Sequence, residues 1–391
     1  MNSPIRTVSA SITAAATLLA LAACVPNSDT AGATTLAVDS TETDCAVSTD
    51  SAPSGTVVFT VTNSTERATE FYLLAEDGLR IVGEVENVAP GAPRDLTLAL
   101  PSGDYFTVCK PGLVGDGIGR AAFTVTDSGA EVKPSGNETE QTDVAAANYV
   151  AYVKEQVAQL VPATEAFTAA YRAGDDDAAR SLYAITRASY ERIEPVAESF
   201  GDLDPAVDFR EADVPEGAEW SGWHRIEKDL WPPAAAGYVA LTEAERGYFA
   251  DKLVADTVAL YDAVHDEGYS VSIDAIGNGA IAPLDEIASG KITGEEEIWS
   301  HTDLWDFRAN LEGAKVAFEG VRDIVRTKDE ALATEIDEQF ASLEAQLAEH
   351  GSLEAGFTSY DELSADEVRA LANGVNALAE PLSRLTAAVL G

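Results

Sequence analysis

His224 and Glu227 stand three residues apart in the segment Gly222-Trp223-His224-Arg225-Ile226-Glu227-Lys228. On a helix that spacing puts both side chains on one face, so an imidazole nitrogen and a carboxylate oxygen can close on one cation. The chain has four histidines among 391 residues, against 67 Asp and Glu, 25 Lys and Arg, and a formal charge of −42. That composition points to holding a metal ion rather than to cutting bonds. Neutral imidazole with carboxylates suits iron, zinc or manganese, whereas copper(I) calls for sulfur.

Further ligands must come from other helices, as in bundle sites where inward carboxylates from facing helices join a His pair at i, i+3. Glu191 and Glu194 fall with Glu198 along one helical stripe. Ser300-His301-Thr302-Asp303-Leu304-Trp305-Asp306 offers a second histidine and two carboxylates at a helix start. The candidate metal ligands are therefore His224, Glu227, Glu191, Glu194, His301 and Asp303. Glu191, Glu194 and Glu198 also fit a solvated face, and Asp303 also fits a helix cap. His265 and His350 read as surface residues.

Other chemistries find less support. A zincin peptidase needs His-Glu-x-x-His, and its inverted form His-x-x-Glu-His; here Lys228 stands where the second histidine would be. No Gly-x-Ser-x-Gly elbow or reactive cysteine compensates. The acid excess argues against a binder of phosphate backbones, so no nucleic-acid partner is expected. The same field concentrates cations at the surface, although solubility alone accounts for most of these carboxylates.

The first residues read as targeting text. Arg6, a short apolar run around Ala14–Ala20 and Leu21-Ala22-Ala23-Cys24 match a bacterial lipobox. Residues 1–24 are expected to be a lipoprotein signal peptide, with Cys24 lipidated as the mature N-terminus. The apolar run is too short to remain as a membrane span. Residues 25–44 read as a flexible Ser/Thr/Ala tether, holding a soluble chain to the outer face of the cytoplasmic membrane. Cys45 and Cys109 remain, an even pair that an oxidising compartment would keep as a disulfide; a free or metal-binding pair is the alternative.

The elements that must position these residues change period near residue 140. Short runs such as Thr56–Thr62, Glu70–Leu74, Arg80–Val85, Asp95–Leu100 and Tyr105–Cys109, separated by Asn-Ser, Asp-Gly and Pro-Gly turns, predict an all-β sandwich over residues 45–126. Residues 127–143 are polar and bear Gly, Ser and Pro, as a linker does. From 144 to 391 helical periodicity predicts an all-α bundle. It begins with a helix over 145–173 that is broken or kinked at Pro162. Asp175, Asp176 and Asp177 make an acidic N-terminal cap for a second helix, which runs through Tyr190 and Glu194 towards Phe200, and residues 201–218 form an acidic loop. A short helix carries His224, and later helices span 242–267, 273–289, 302–327, 330–349 and 365–390.

Several long stretches carry a family resemblance. Ser189–Pro195, Phe200–Pro205, Gly222–Lys228, Lys291–Glu296, Ser300–Phe307 and Ala377–Ser383 resemble the imelysin-type domain of the EfeO/EfeM iron-uptake family. Asn87–Gly91, the turn from Leu100 to Tyr105 and Cys109–Gly112 resemble the cupredoxin-like N-terminal domain of its full-length form. The resemblance implies an extracytoplasmic component of an acid-favoured iron importer, binding Fe²⁺ or Fe³⁺ with zinc as a surrogate. It also implies a membrane iron permease and a haem-containing Dyp-type peroxidase as partners, and His224 and Glu227 as ligands. The β-domain departs from a blue-copper site, which needs His, Cys and usually Met. It has no histidine, and the chain's one methionine is Met1. Copper is therefore unlikely as cargo, although Cys45 and Cys109 with Glu70 or Glu84 could form a second metal site. The alternatives to an iron carrier are an imelysin-type metallopeptidase, a copper-handling redox module, and an adhesion or scaffold lipoprotein.

Overall fold

Alternation of apolar and polar residues builds the N-terminal part. In the computed structural model, which describes residues 33–129, 132, 138–234 and 237–391, nine strands of this N-terminal part form two sheets. The expected signal peptide and Cys24 lie outside the described residues. Strands β1 (Thr34–Ser40), β2 (Cys45–Val47), β4 (Gly55–Asn63) and β7 (Pro93–Leu100) run in the order β2-β1-β4-β7. Strands β3 (Ser51–Pro53), β5 (Thr69–Leu74), β6 (Ile81–Val88), β8 (Gly103–Cys109) and β9 (Ile118–Thr126) run in the order β3-β9-β8-β5-β6. Val57, Phe59 and Val61 of β4 point inward, where Phe59 meets Phe71 and Phe123 at centroid distances of 5.3 and 5.5 Å. The tether expected over residues 25–44 includes a strand of the sheet. Thr34–Ser40 already pairs in parallel with β4, burying Leu36 and Val38. Cys45 and Cys109 are joined by a disulfide that ties β2 to β8 across the two sheets. Closing a loop between residues 64 apart removes about 4 kcal/mol of unfolded-state entropy in the chain-entropy account. The bond also leaves neither sulfur as a thiolate for a metal.

Strand β5, Thr-Glu-Phe-Tyr-Leu-Leu, shows no alternation because both its faces are covered. Phe71 and Leu73 enter the sandwich core, whereas Tyr72 and Leu74 join the core of the helical domain. The helix opposite is α1 (Glu138–Ala173), which starts within the expected 127–143 linker. Helix α1 is not broken at Pro162 but passes through it as one helix. Proline has no N–H for the carbonyl four residues back; that carbonyl, of Ala158, accepts the Gly115 N–H of the β-domain at 2.9 Å. The same seam holds Lys154 to Glu86 at 3.1 Å, and the buried pair Lys110–Glu155.

Glu70 and Glu84 lie on this seam, and among the described residues neither belongs to a group of three side chains that could converge on one cation. Glu70 accepts the Tyr72 hydroxyl at 2.5 Å. Tyr72 is paired with Glu84 across β5 and β6. Burial pushes Glu70 up to about 6 and Glu84 up to about 8. A carboxyl whose pKa is higher folded than unfolded loses stability as pH rises from the unfolded to the folded value. Glu84→Gln is therefore expected to stabilise the chain by about 1–2 kcal/mol at pH 8, discounted for partial exposure, and far less at pH 5. Urea unfolding at the two pH values measures this; a gain that does not grow with pH contradicts it.

The remaining helices are α2 (Asp176–Glu191), α3 (Leu203–Asp208), α4 (Trp223–Leu230), α5 (Glu243–Val264), α6 (Ile273–Gly279), α7 (Ala282–Ser289), α8 (Asp303–Lys328), α9 (Glu330–Ala348), α10 (Ala365–Leu382) and α11 (Leu385–Leu390). Asp175 caps α2 and a Thr242–Glu245 capping box opens α5, each satisfying otherwise orphaned N–H groups. Helix α1 packs on α2 and α5, and α8 on α2 and α9. The helices expected over 273–289 and 365–390 are each divided in two. Helix α2 stops at Glu191, and Glu194 opens a separate 3₁₀ turn, Glu194–Phe200. Among the described residues, no helix is long and apolar enough to cross a membrane.

Candidate metal centre

Four segments converge on His224. The first is α4, whose start requires a glycine: Gly222 has φ +90°, and a Cβ there would meet the Val207 carbonyl oxygen at 2.1 Å. The second is α3, within the stretch expected to be an acidic loop. The Ser221 hydroxyl donates to the Ala206 carbonyl at 3.0 Å and the Trp220 indole N–H to the Phe209 carbonyl at 2.7 Å. These bonds bring Asp208, at the end of α3, beside the imidazole. The third segment is the loop after Gly294, carrying Glu296 and Glu297 into the start of α8. The fourth is α2, which supplies Arg187 and Glu191.

His224, Glu227, Glu297 and Arg187 are all fully buried. His224 Nδ1 lies 3.3 Å from Glu227 Oε2 and 3.8 Å from Glu297 Oε1. Nε2 lies 3.7 Å from both Asp208 Oδ1 and Glu296 Oε1, and it has no hydrogen-bond partner. Glu227 is oriented by its other oxygen, which accepts the backbone N–H groups of Trp299 (3.0 Å) and Ser300 (2.7 Å). Glu297 accepts the Tyr183 and Ser300 hydroxyls at 3.1 and 2.8 Å. Among the described residues, two sets of three ligand groups can each converge on one cation: Asp208, His224 and Glu296, and His224, Glu227 and Glu297.

Two basic side chains hold the carboxylates apart. Arg187 Nη2 is 2.6 Å from Glu191 and Nε is 2.9 Å from Glu297, while Nη1 pairs with Asp208. Lys291 Nζ is 2.8 Å from Glu194, 3.5 Å from Glu191 and 3.7 Å from Glu296. Burial pushes Glu297 and Asp306 well above the usual carboxyl range, and Asp208 and Asp303 up to about 6. Glu296 is held well below that range against the effect of burial, chiefly by Lys291 and His224. Burial and Arg187 work to lower His224, but its contacts with Glu227 and Glu296 and the charge of Glu297 hold it well above the ordinary histidine value. A cation that ligates this imidazole therefore competes with the proton that these contacts favour.

The expected ligand set is partly redistributed. His224 and Glu227 meet as their spacing requires. Glu191 and Glu194 are in the same acidic cluster but turn to Arg187, Lys291 and the Asn310 amide instead of the imidazole. Glu198 is exposed. Asp303 is buried, and its Oδ1 accepts the Glu297 N–H at 3.3 Å, so it anchors the loop that presents Glu297. His301 departs furthest. Its backbone turns at φ +58° and it lines an outer hollow with Arg180, Trp231 and Trp299, away from His224. The reading of the chain missed Asp208, Glu296, Glu297 and the countercharges Arg187 and Lys291. The run Glu295-Glu296-Glu297 after a turn glycine was the available signal.

The comparisons agree with this architecture. The family model described as imelysin (peptidase M75) matches residues 145–385. The chain is 37% identical over 336 residues to the iron uptake system component EfeO of Yersinia pestis, covering 85% of each chain. It is 34% identical over 354 residues to the protein of the same name in Escherichia coli O157:H7, covering 88% of each.

Proposed function

The chain belongs to the imelysin family and to the EfeO iron-uptake components, and from that premise we propose that its His224 centre captures iron outside the cytoplasmic membrane and delivers it to a membrane permease. The observation that carries this reading is the buried imidazole with a carboxylate pair at each ring nitrogen. Such donors suit iron: the hard carboxylates favour Fe³⁺, the imidazole keeps Fe²⁺ competitive, zinc is a serviceable surrogate, and the absence of sulfur disfavours copper(I). Iron is cargo here, and the protein is a carrier rather than an enzyme. Lys228, where an inverted zincin has its second histidine, pairs instead with Glu211 at 2.5 Å.

In this reading Cys24 is lipidated and anchors the chain to the outer face of the membrane, by way of a tether that ends near residue 33. The sandwich is a cupredoxin-like domain stapled by Cys45–Cys109, serving as a docking or spacing unit without a copper centre of its own. The permease and a haem-containing Dyp-type peroxidase are the partners. The test is direct. Full chain stripped by a chelator, incubated with Fe²⁺ under anaerobic conditions and passed through gel filtration is expected to retain stoichiometric iron by mass spectrometry. Retention of no iron, or retention of copper in preference to it, overturns the proposal.

A further inference from the structure

We infer that His224 serves two alternative cation positions, an outer one at Nε2 with Asp208 and Glu296 and an inner one at Nδ1 with Glu227 and Glu297, so that an ion enters at the first and is stored at the second. This deepens the iron-carrier reading and rests on it. The asymmetry comes from access. A cleft of about 1000 Å³ is lined by Asp208 and Glu296, along with Glu194, Asp204, Asp213 and Glu295, and does not reach Glu227 or Glu297. The buried Nε2 atom, without a hydrogen-bond partner, points to the cleft-side carboxylates. An acid-lined cleft draws cations from solution to that position first.

The two positions differ in how their donors are held. Glu227 and Glu297 are each fixed by two donors, namely backbone N–H groups for the former and hydroxyls for the latter. Such support raises affinity. Glu296 is instead contested by Arg210 at 3.4 Å, Lys291 at 3.7 Å and Arg187 at 4.0 Å, and Asp208 by Arg187. At the inner position Glu297 also meets Arg187, at 2.9 Å, but among the described residues Glu227 pairs with no basic side chain except His224. An ion at the outer position therefore competes with three basic side chains, against one at the inner position, and is held less firmly. The positions exclude each other because a neutral imidazole offers a single lone pair, its other nitrogen carrying a proton. The transfer is balanced: the ion moves inward from Nε2 to Nδ1, one proton leaves Nδ1 and one binds Nε2.

The experiment uses full chain with cobalt(II), an air-stable probe whose absorption reports ligation. Asp208→Asn combined with Glu296→Gln is expected to slow both loading and release by about tenfold, since a removed way station obstructs both directions. Glu227→Gln is expected to weaken equilibrium binding about tenfold, and crystals at saturating cobalt should then show anomalous density at Nε2; Glu297→Gln substitutes should that variant fail to fold. Loading at the original rate, faster release, or no density at Nε2 in the inner-site variant overturns the two-position scheme while a single carrier site stands. Absence of cobalt from both nitrogens in the unaltered protein overturns the carrier reading itself.

Discussion

His224→Ala is expected to abolish retention of iron through gel filtration and to lower equilibrium affinity by at least about 100-fold. The imidazole is the one group common to both sets of ligands, so its loss leaves two pairs of carboxylates with no nitrogen between them. Glu227→Ala should lose less, because Glu297 and the outer pair remain, and the double variant should resemble His224→Ala. Equilibrium dialysis checks this, and unchanged affinity in the double variant removes His224 and Glu227 from the site. The pH dependence has a definite sign. The His224 imidazole is held above the ordinary histidine value, and Asp208 titrates near 6, raised by burial. Both must be proton-free to ligate. Affinity should therefore fall as pH drops through the region of 6 and rise towards alkaline pH, with protons released on binding at neutral pH. An affinity independent of pH between 5 and 8 contradicts the assignment.

The second large effect concerns the countercharge. Arg187→Met leaves Asp208, Glu191 and Glu297 buried without the guanidinium that pairs with them. Removing one partner of a buried ion pair costs about 3–5 kcal/mol. The loss should be greatest at alkaline pH and least near pH 5. Without Arg187 the folded carboxyls hold their protons to higher pH than the unfolded ones, so stability falls as pH rises. A bound cation should restore part of the loss, because it supplies the missing charge and binds only the folded site. Thermal unfolding at pH 5 and pH 8, with and without Zn²⁺, measures all three effects. A variant that melts like the parent at pH 8 would mean that Arg187 is not the cluster's principal countercharge.

Periodicity disclosed those features that depend on neighbours in the chain. The one-turn spacing of His224 and Glu227 is a property of any helix, and that pair does face one another. The change from strand to helix period near residue 140 and the N-cap at Asp175 have the same local origin. Glu191 and Glu194 were legible as acids on a stripe, but not as partners of Lys291, which lies 97 residues beyond Glu194. Strand β1 was hidden in Ser/Thr/Ala-rich text because its pairing with β4 is a long-range event.

What the chain determines by itself is therefore the type of chemistry, an imidazole and a carboxylate on one helical face in a strongly anionic molecule, and the order of a β-domain before a helical one. The tertiary structure decided which acids join them. Asp208 arrives because Gly222 lets α4 start against α3, and Glu296 and Glu297 because backbone N–H groups of their loop close on Glu227. It likewise kept α1 whole at Pro162 by supplying a donor from the other domain. Helical spacing is set within a few residues, whereas the satisfaction of buried charges and carbonyls depends on groups that only the folded chain brings within reach.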